Sequence, residues 1–213
     1  MRIDVWSDFA CPWCVLGLRR LDVALEGFEH ASSVDVVHRS FELDPRAPAR
    51  RERTMTDAVA AKYGMSPERV RAGHARMTEM GEEVGFAFDF ERVRLGNTFD
   101  AHRLAQAARG GPAEEALVYG LFTAYFTDGK VLSDHAVLRE IAVGAGLELD
   151  RVERVLNGEL YAREVRADEA EAYELGVTGV PYFLIEGAWP IPGAQDVETL
   201  GIVLRRAWSK LEG

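Results

Sequence analysis

The sequence predicts an α/β protein in which one sheet-containing domain is interrupted by a long helical insertion. Three observations carry this. The first 43 residues read as strand, amphipathic helix, strand. From Met55 to about Tyr173 the apolar residues keep a helical period almost throughout. A strand pattern then returns at Tyr182–Ile185 and Trp189–Pro192, followed by a last helix. The order is βαβ, helices, ββα, with residues 1–48 and 176–213 as one split domain and 49–175 as the insertion.

Each element has its own signal. Arg2 to Trp6 alternates apolar and polar side chains, which is the period of a strand. From Pro12 the period changes. Cys14, Leu18, Leu21, Leu25 and Phe28 recur at spacings of four and three, so they share one helical face. Pro12 suits the first helical position, where a missing N–H costs nothing. Val34 to Leu43 reads as the second strand. Asp44 to Arg53, rich in proline and arginine, reads as a solvated loop. Helical segments follow near 55–63, 67–84, 98–109, 113–127, 134–145, 149–156 and 160–175, bounded by Gly, Pro, Asn or Asp. Ser133 or Asp134, and Asp150, are reasonable caps. The last helix opens near Asp196 and runs to Leu211.

The chemistry concentrates at Cys11-Pro12-Trp13-Cys14, the only two cysteines among 213 residues. A disulfide closing so small a ring staples nothing distant, so its value is chemical rather than structural. Cys11 falls at the helix N-terminus, facing free backbone N–H groups and the positive end of the helix dipole. Cysteines so placed have pKa values lowered to roughly 3.5–7.5. Pro12 should aim Cys11 outward, and Cys14, one turn in on the apolar face, should be more buried and less ionised. Cys11 then attacks a substrate disulfide, and Cys14 resolves the mixed disulfide. Two duller readings compete. The pair could be half a zinc site, but there is no second cysteine pair, and the five histidines show no ligand spacing. The cysteines could also be inert and buried.

Gly176 to Ile185 is the second informative stretch. Glycines mark a turn, and Pro181 opens a β-prone run, where proline is tolerated at the first position. Base rates alone favour a trans Val180–Pro181 bond, since only about 5–6 % of such bonds are cis.

Together these pieces resemble the thioredoxin superfamily. More closely they resemble the cytosolic DsbA-like group that includes FrnE-type oxidoreductases. The resemblance rests on Ser7-Asp8-Phe9-Ala10-Cys11-Pro12-Trp13-Cys14-Val15-Leu16-Gly17, on Asn97-Thr98 with Ala101-His102-Arg103-Leu104, and on Thr178-Gly179-Val180-Pro181-Tyr182-Phe183 with Gly193-Ala194-Gln195. It implies a thioredoxin fold interrupted by a large all-helical insertion. It also implies a cis-proline loop packed on the cysteine pair, with the Val180 backbone pairing with an extended substrate. Carried over, Cys11 is the nucleophile, Cys14 the resolving thiol, and Pro12, Trp13, Val180 and Pro181 the substrate wall. Asn97 and His102 are candidate substrate contacts, although Asn97 or Thr98 also suits an N-cap and a lone histidine is usually structural. Asp8 is a candidate proton relay, weighed against a turn-bonding role. Trp6, Phe9, Phe183 and Trp189 are most simply core or cleft lining, while Trp13 and Phe9 are also candidates for an exposed apolar patch beside Cys11. Periplasmic DsbA proteins carry histidine where Trp13 stands, so a less oxidising couple is expected. Some FrnE-type members carry an extra cysteine pair that this chain lacks.

Composition narrows the classes. A net charge of −10 argues against a nucleic-acid partner. No stretch of about 18 apolar residues points to a membrane span. No apolar leader follows Met1, so a cytoplasmic location is expected. The expected reaction needs no resident cofactor or metal. Its partners are disulfide- or thiol-containing proteins and peptides, with glutathione or a thioredoxin system as reductant. Two further classes stay open. One is a glutathione-dependent isomerase or transferase, since kappa-class transferases and chromene-carboxylate isomerases look similar in the Asn-Thr and Gly-Val-Pro segments. The other is a chaperone-like binding module.

Overall fold

A computed structural model describes residues 1–211. In chain order the elements are β1 (Arg2–Ser7), α1 (Pro12–Glu26), a 3₁₀ turn at Ala31–Ser33, β2 (Asp35–Ser40), α2 (Met55–Tyr63), α3 (Pro67–Glu82), α4 (Phe99–Ala108), α5 (Glu114–Phe126), α6 (His135–Gly144), α7 (Leu149–Leu156), α8 (Ala162–Glu174), β3 (Tyr182–Ile185), β4 (Trp189–Pro192) and α9 (Val197–Leu211). They form two compact units. One comprises Met1–Leu43 and the chain from Arg166 on; the other is Asp44–Val165.

The split-domain unit is built on a four-stranded sheet of order β2-β1-β3-β4. β1 runs parallel to β2, from Arg2 opposite Asp35 to Ser7 opposite Ser40. It runs antiparallel to β3, with Ile3 opposite Ile185 and Trp6 opposite Tyr182. β4 closes the edge against β3. Its prolines, Pro190 and Pro192, are tolerated because an edge strand can spare ladder donors. α1 and α9 pack against each other. Trp6, Phe41, Ala172, Val177 and Leu184 form a buried cluster, with Val180 and Tyr182 against it.

β1 is buried on both faces, because Ile3, Asp4, Val5, Trp6 and Ser7 are all inaccessible. Its alternation therefore separates two interiors rather than core from solvent. Asp4, the polar residue inside, accepts from Arg39 Nε at 2.7 Å and from Arg2 at 2.8 Å. Burial opposes its charge, but the bonds from Arg2 and Arg39 prevail and hold its pKa below the usual value.

The unit boundaries fall at 43/44 and 165/166 instead of 48/49 and 175/176. The reason lies in α8. From Arg166 on, its side chains bond to the sheet: Asp168 accepts from Arg39 Nη1 at 2.8 Å and from the Ser40 amide at 2.9 Å, and Trp6 Nε1 donates to the Asp168 carbonyl at 2.9 Å. Glu169 accepts from the Glu42 amide, and Arg166 bridges Glu42 and Glu169. A helical period cannot show which unit a helix joins. Residues 212 and 213 of the expected domain lie outside the described residues.

The inserted unit is helical as expected. Thr54, Ser66 and Asp134 cap α2, α3 and α6 through their side chains. Asp150 is not a cap: it lies inside the first turn of α7, whose N-cap is Glu148. Buried Arg103 donates to the carbonyls of Val155, Gly158 and Leu160 and pairs with Asp100, tying α4 to the end of α7. Among the described residues no helix is long and apolar enough to cross a membrane.

Candidate active site

Cys11 is the N-cap of α1, in extended conformation, with Pro12 opening the helix. Its carbonyl accepts from the Cys14 amide at 3.0 Å, and its own amide donates to the Asp8 carbonyl at 3.0 Å. This hydrogen-bonded turn places the Cys11 sulfur 3.5 Å from the Val180 carbonyl oxygen, to which it donates. The Val180–Pro181 peptide bond is cis. Both thiols are free.

Cys14 has no exposed surface. Burial pushes its thiol well up from the ordinary value. The hydrogen bond with Cys11 and the charge of that sulfur add to this, and the Asp8 backbone amide offsets part of it. Deprotonating Cys14 is therefore the costlier event of the pair.

Asp8 is 2 % exposed. One carboxylate oxygen accepts from the Ala10 amide at 3.1 Å, and the other from the Leu43 amide at 2.7 Å. The turn-bonding role is thus occupied, and its charge also bears on Cys14. Phe9 takes the core reading and not the exposed one, and one placement differs from expectation. Cys11 is only 5 % exposed, because its sulfur lies against the Val180 carbonyl and not out in solvent. Phe9 is buried at 2 %, within the turn that Asp8 closes. Trp13, at 44 %, is the exposed aromatic beside the cysteines.

Asn97 and His102 lie in the other unit. The Asn97 side chain accepts from the Phe99 amide at 2.8 Å, a turn bond at the start of α4. His102 is buried on α4. Thr98 is the N-cap there and makes no side-chain capping bond. Among the described residues no group of three or more His, Cys, Asp or Glu side chains is arranged to hold a metal.

Sequence reasoning left Gly17 without a role. A Cβ there would stand 3.0 Å from Pro181 Cγ and 3.3 Å from Phe183 Cζ. Only glycine lets α1 seat directly on the proline loop. The available signal was a glycine inside a strongly patterned helix, which costs about 1 kcal/mol relative to alanine and so asks for a packing reason.

The geometry has clear relatives. A crystal structure of the probable DsbA oxidoreductase SCO1869 from Streptomyces coelicolor superposes with a TM-score of 0.93 and 42 % identity, covering 98 % of this chain and 90 % of that one. A 2-hydroxychromene-2-carboxylate isomerase superposes with a TM-score of 0.72 at 14 % identity, covering 100 % of this chain and 98 % of that one. The cytosolic disulfide reductase DsbM from Pseudomonas aeruginosa gives 0.64 at 16 %, covering 98 % and 99 %. At such identities the last two share the fold. Residues 2–204 match the DSBA-like thioredoxin domain family. This chain belongs to the DSBA-like thioredoxin domain family.

Proposed function

We propose that this protein is a thiol–disulfide oxidoreductase acting on disulfide- or thiol-containing proteins and peptides. One observation carries the reading: the Cys11 sulfur stands at a helix N-terminus beside the Val180 carbonyl, next to a Cys14 thiol that burial keeps protonated. The 42 % identity to a probable DsbA oxidoreductase supports it.

In the reductive direction Cys11, as a thiolate, attacks one sulfur of a substrate disulfide. A bond forms between Cys11 and that sulfur, the substrate S–S bond breaks, and the leaving sulfur departs as a thiolate that takes up a proton. Cys14 then loses its proton, with Asp8 as the proposed acceptor, and attacks Cys11 Sγ. The Cys11–Cys14 bond forms, the mixed disulfide breaks, and the second substrate sulfur leaves as a thiol. Two electrons pass from the protein to the substrate. The reverse sequence oxidises a substrate dithiol. Pro12, Trp13, Val180 and Pro181 are the proposed substrate wall, with the Val180 backbone pairing with an extended segment. Asn97 and His102 are proposed only as candidate contacts.

Glutathione is the proposed returning reductant: one glutathione thiolate would attack Cys11 Sγ, breaking the Cys11–Cys14 bond and leaving Cys14 to take up a proton, and a second would attack the glutathione sulfur of that mixed disulfide, releasing glutathione disulfide and the Cys11 thiolate. The fold likeness to DsbM, which has been solved with GSH, supports this choice and a cytosolic setting. The likeness to the isomerase is one of fold, and the presence of both cysteines favours redox chemistry over that reaction. The test is a Cys14→Ser variant incubated with a disulfide peptide and read by intact mass. A mixed disulfide at Cys11 is expected; a protein that gains no adduct there sinks the assignment.

A further inference from the structure

Gly193-Ala194-Gln195, between β4 and α9, has so far no task. Its bonds say what it holds. Gly193, at φ +75°, donates its amide to the Pro181 carbonyl at 2.8 Å. The Gln195 amide donates to the Gly193 carbonyl at 3.1 Å, and its side chain donates to the Pro192 carbonyl at 2.7 Å. The loop is therefore a closed turn locked to the cis-proline residue. From α1, Arg20 Nη1 donates to the Ala194 carbonyl at 3.1 Å, and at 3.5 Å to that of Gln195. Three residues earlier on the same helical face, Gly17 makes the close approach: a Cβ there would lie 3.0 Å from Pro181 Cγ and 3.4 Å from Ala194 Cα. Asp196, which follows the loop and caps α9 through the Thr199 amide at 2.8 Å, lies within the field of Arg20. The helix that carries the cysteines thus touches Pro181 at Gly17, and Arg20 ties it to the 193–195 loop, which in turn holds the Pro181 carbonyl through the Gly193 amide.

We propose that Arg20 is a positioning residue that fixes the Val180 carbonyl relative to the Cys11 sulfur, and that it matters for extended peptide substrates rather than for small disulfides. This rests on the thiol–disulfide reading and adds to it the residue that sets the peptide-pairing edge. The reason is geometric. A peptide adding to a backbone edge needs its hydrogen bonds within a few tenths of an ångström. A small disulfide needs only access to Cys11. Both bonds leave one nitrogen, Nη1, at the end of a long stem, so lysine, whose ammonium carries three donors on a shorter stem, restores them only as far as that stem reaches the loop.

The experiment compares wild type, Arg20→Met and Arg20→Lys in steady-state reduction of a disulfide-bridged peptide and of a small aromatic disulfide, with glutathione as the reductant and the uncatalysed rate subtracted. Arg20→Met should raise KM for the peptide about tenfold, the worth of one or two backbone hydrogen bonds, with kcat nearly unchanged. KM for the small disulfide should move far less, and Arg20→Lys should fall between the two proteins. Equal loss on both substrates would mark general loosening and overturn the proposal, as would a peptide KM that does not move. A wild type that neither reduces these substrates nor, once oxidised, oxidises the peptide's dithiol form overturns the thiol–disulfide reading, and this proposal with it.

Discussion

Cys11 and Cys14 are chemically unequal although only two residues separate them. Cys14 pays full desolvation on the apolar face of α1, and its thiol is pushed well above its ordinary value by that burial and by its sulfur neighbour. Cys11 opens the helix and meets the Val180 carbonyl. Each pKa unit is about a tenfold change in thiolate fraction near neutral pH. Cys14 in a Cys11→Ser protein should therefore react with iodoacetamide at pH 8 at least about tenfold more slowly than Cys11 in a Cys14→Ser protein. Equal rates in the two single-cysteine proteins would contradict the assignment of roles. Much of this was readable beforehand: the spacing, Pro12 and the switch from strand to helix period point to it. The burial of Cys11 was not, because the Val180–Pro181 loop was expected as a wall for substrate, whereas its Val180 carbonyl stands 3.5 Å from the Cys11 sulfur itself. Arg20 was equally silent, since its partners are backbone carbonyls, which have no sequence signature.

At the scale of elements, helices announced themselves through local chemistry. Asp134 was among the expected caps, and the structure adds Thr54 and Ser66 at the starts of α2 and α3 and Gly64, in the left-handed conformation, at the end of α2. The helix expected near 160–175 is α8, but the compact units divide within it, at 165/166 and not at 175/176, because which unit a helix joins is a tertiary fact. One contact on α3 carries a pH consequence that periodicity could not show. His74 stacks on Phe90, ring centroids 4.1 Å apart, and its Nδ1 is buried without a hydrogen-bond partner. Desolvation lowers its pKa, with Glu91 acting weakly the other way. The unfolded chain then binds a proton more readily than the folded one. Stability from this group is complete above the ordinary histidine value of about 6.5 and is lost as pH falls through that value towards the lower folded one. A His74→Phe variant, which keeps the stack, should show a shallower fall in urea midpoint between pH 7.5 and pH 5.5, followed by circular dichroism. Parallel curves for the two proteins would rule the histidine out as the titrating group.

For the molecule as a whole, the central strand is the place where polarity and burial collide. Asp4 and Asp168 lie inside the split-domain unit with side chains 11 % and 3 % exposed, and Arg39 bonds to both. Nothing in the sequence paired these three, which stand far apart along the chain; the alternation of β1 showed a strand but not that its polar face is also interior. The magnitudes separate Arg39 from Arg2, which also bonds to Asp4 but is 48 % exposed. Removing one member of a buried pair strands the partner charge and costs about 3 kcal/mol, whereas an exposed pair is worth below about 1 kcal/mol. Arg39→Met should accordingly lose about 3 kcal/mol of unfolding free energy. Arg2→Met should lose below about 1 kcal/mol. Tryptophan fluorescence reads the correct unit, because Trp6, Trp13, Trp189 and Trp208 all belong to it. The loss should also depend on pH in a defined sense. Asp4 has a lowered folded pKa, so its contribution is present above about 3.9, the unfolded value, and disappears as pH falls through the folded one. Wild type and Arg39→Met should therefore converge in stability as the solution is acidified below that value. A gap that stays constant to the lowest pH at which both still fold would assign the loss to the contact of the Arg39 guanidinium with the Trp6 ring, its Cζ 5.7 Å from the ring centroid, and not to the charge pair.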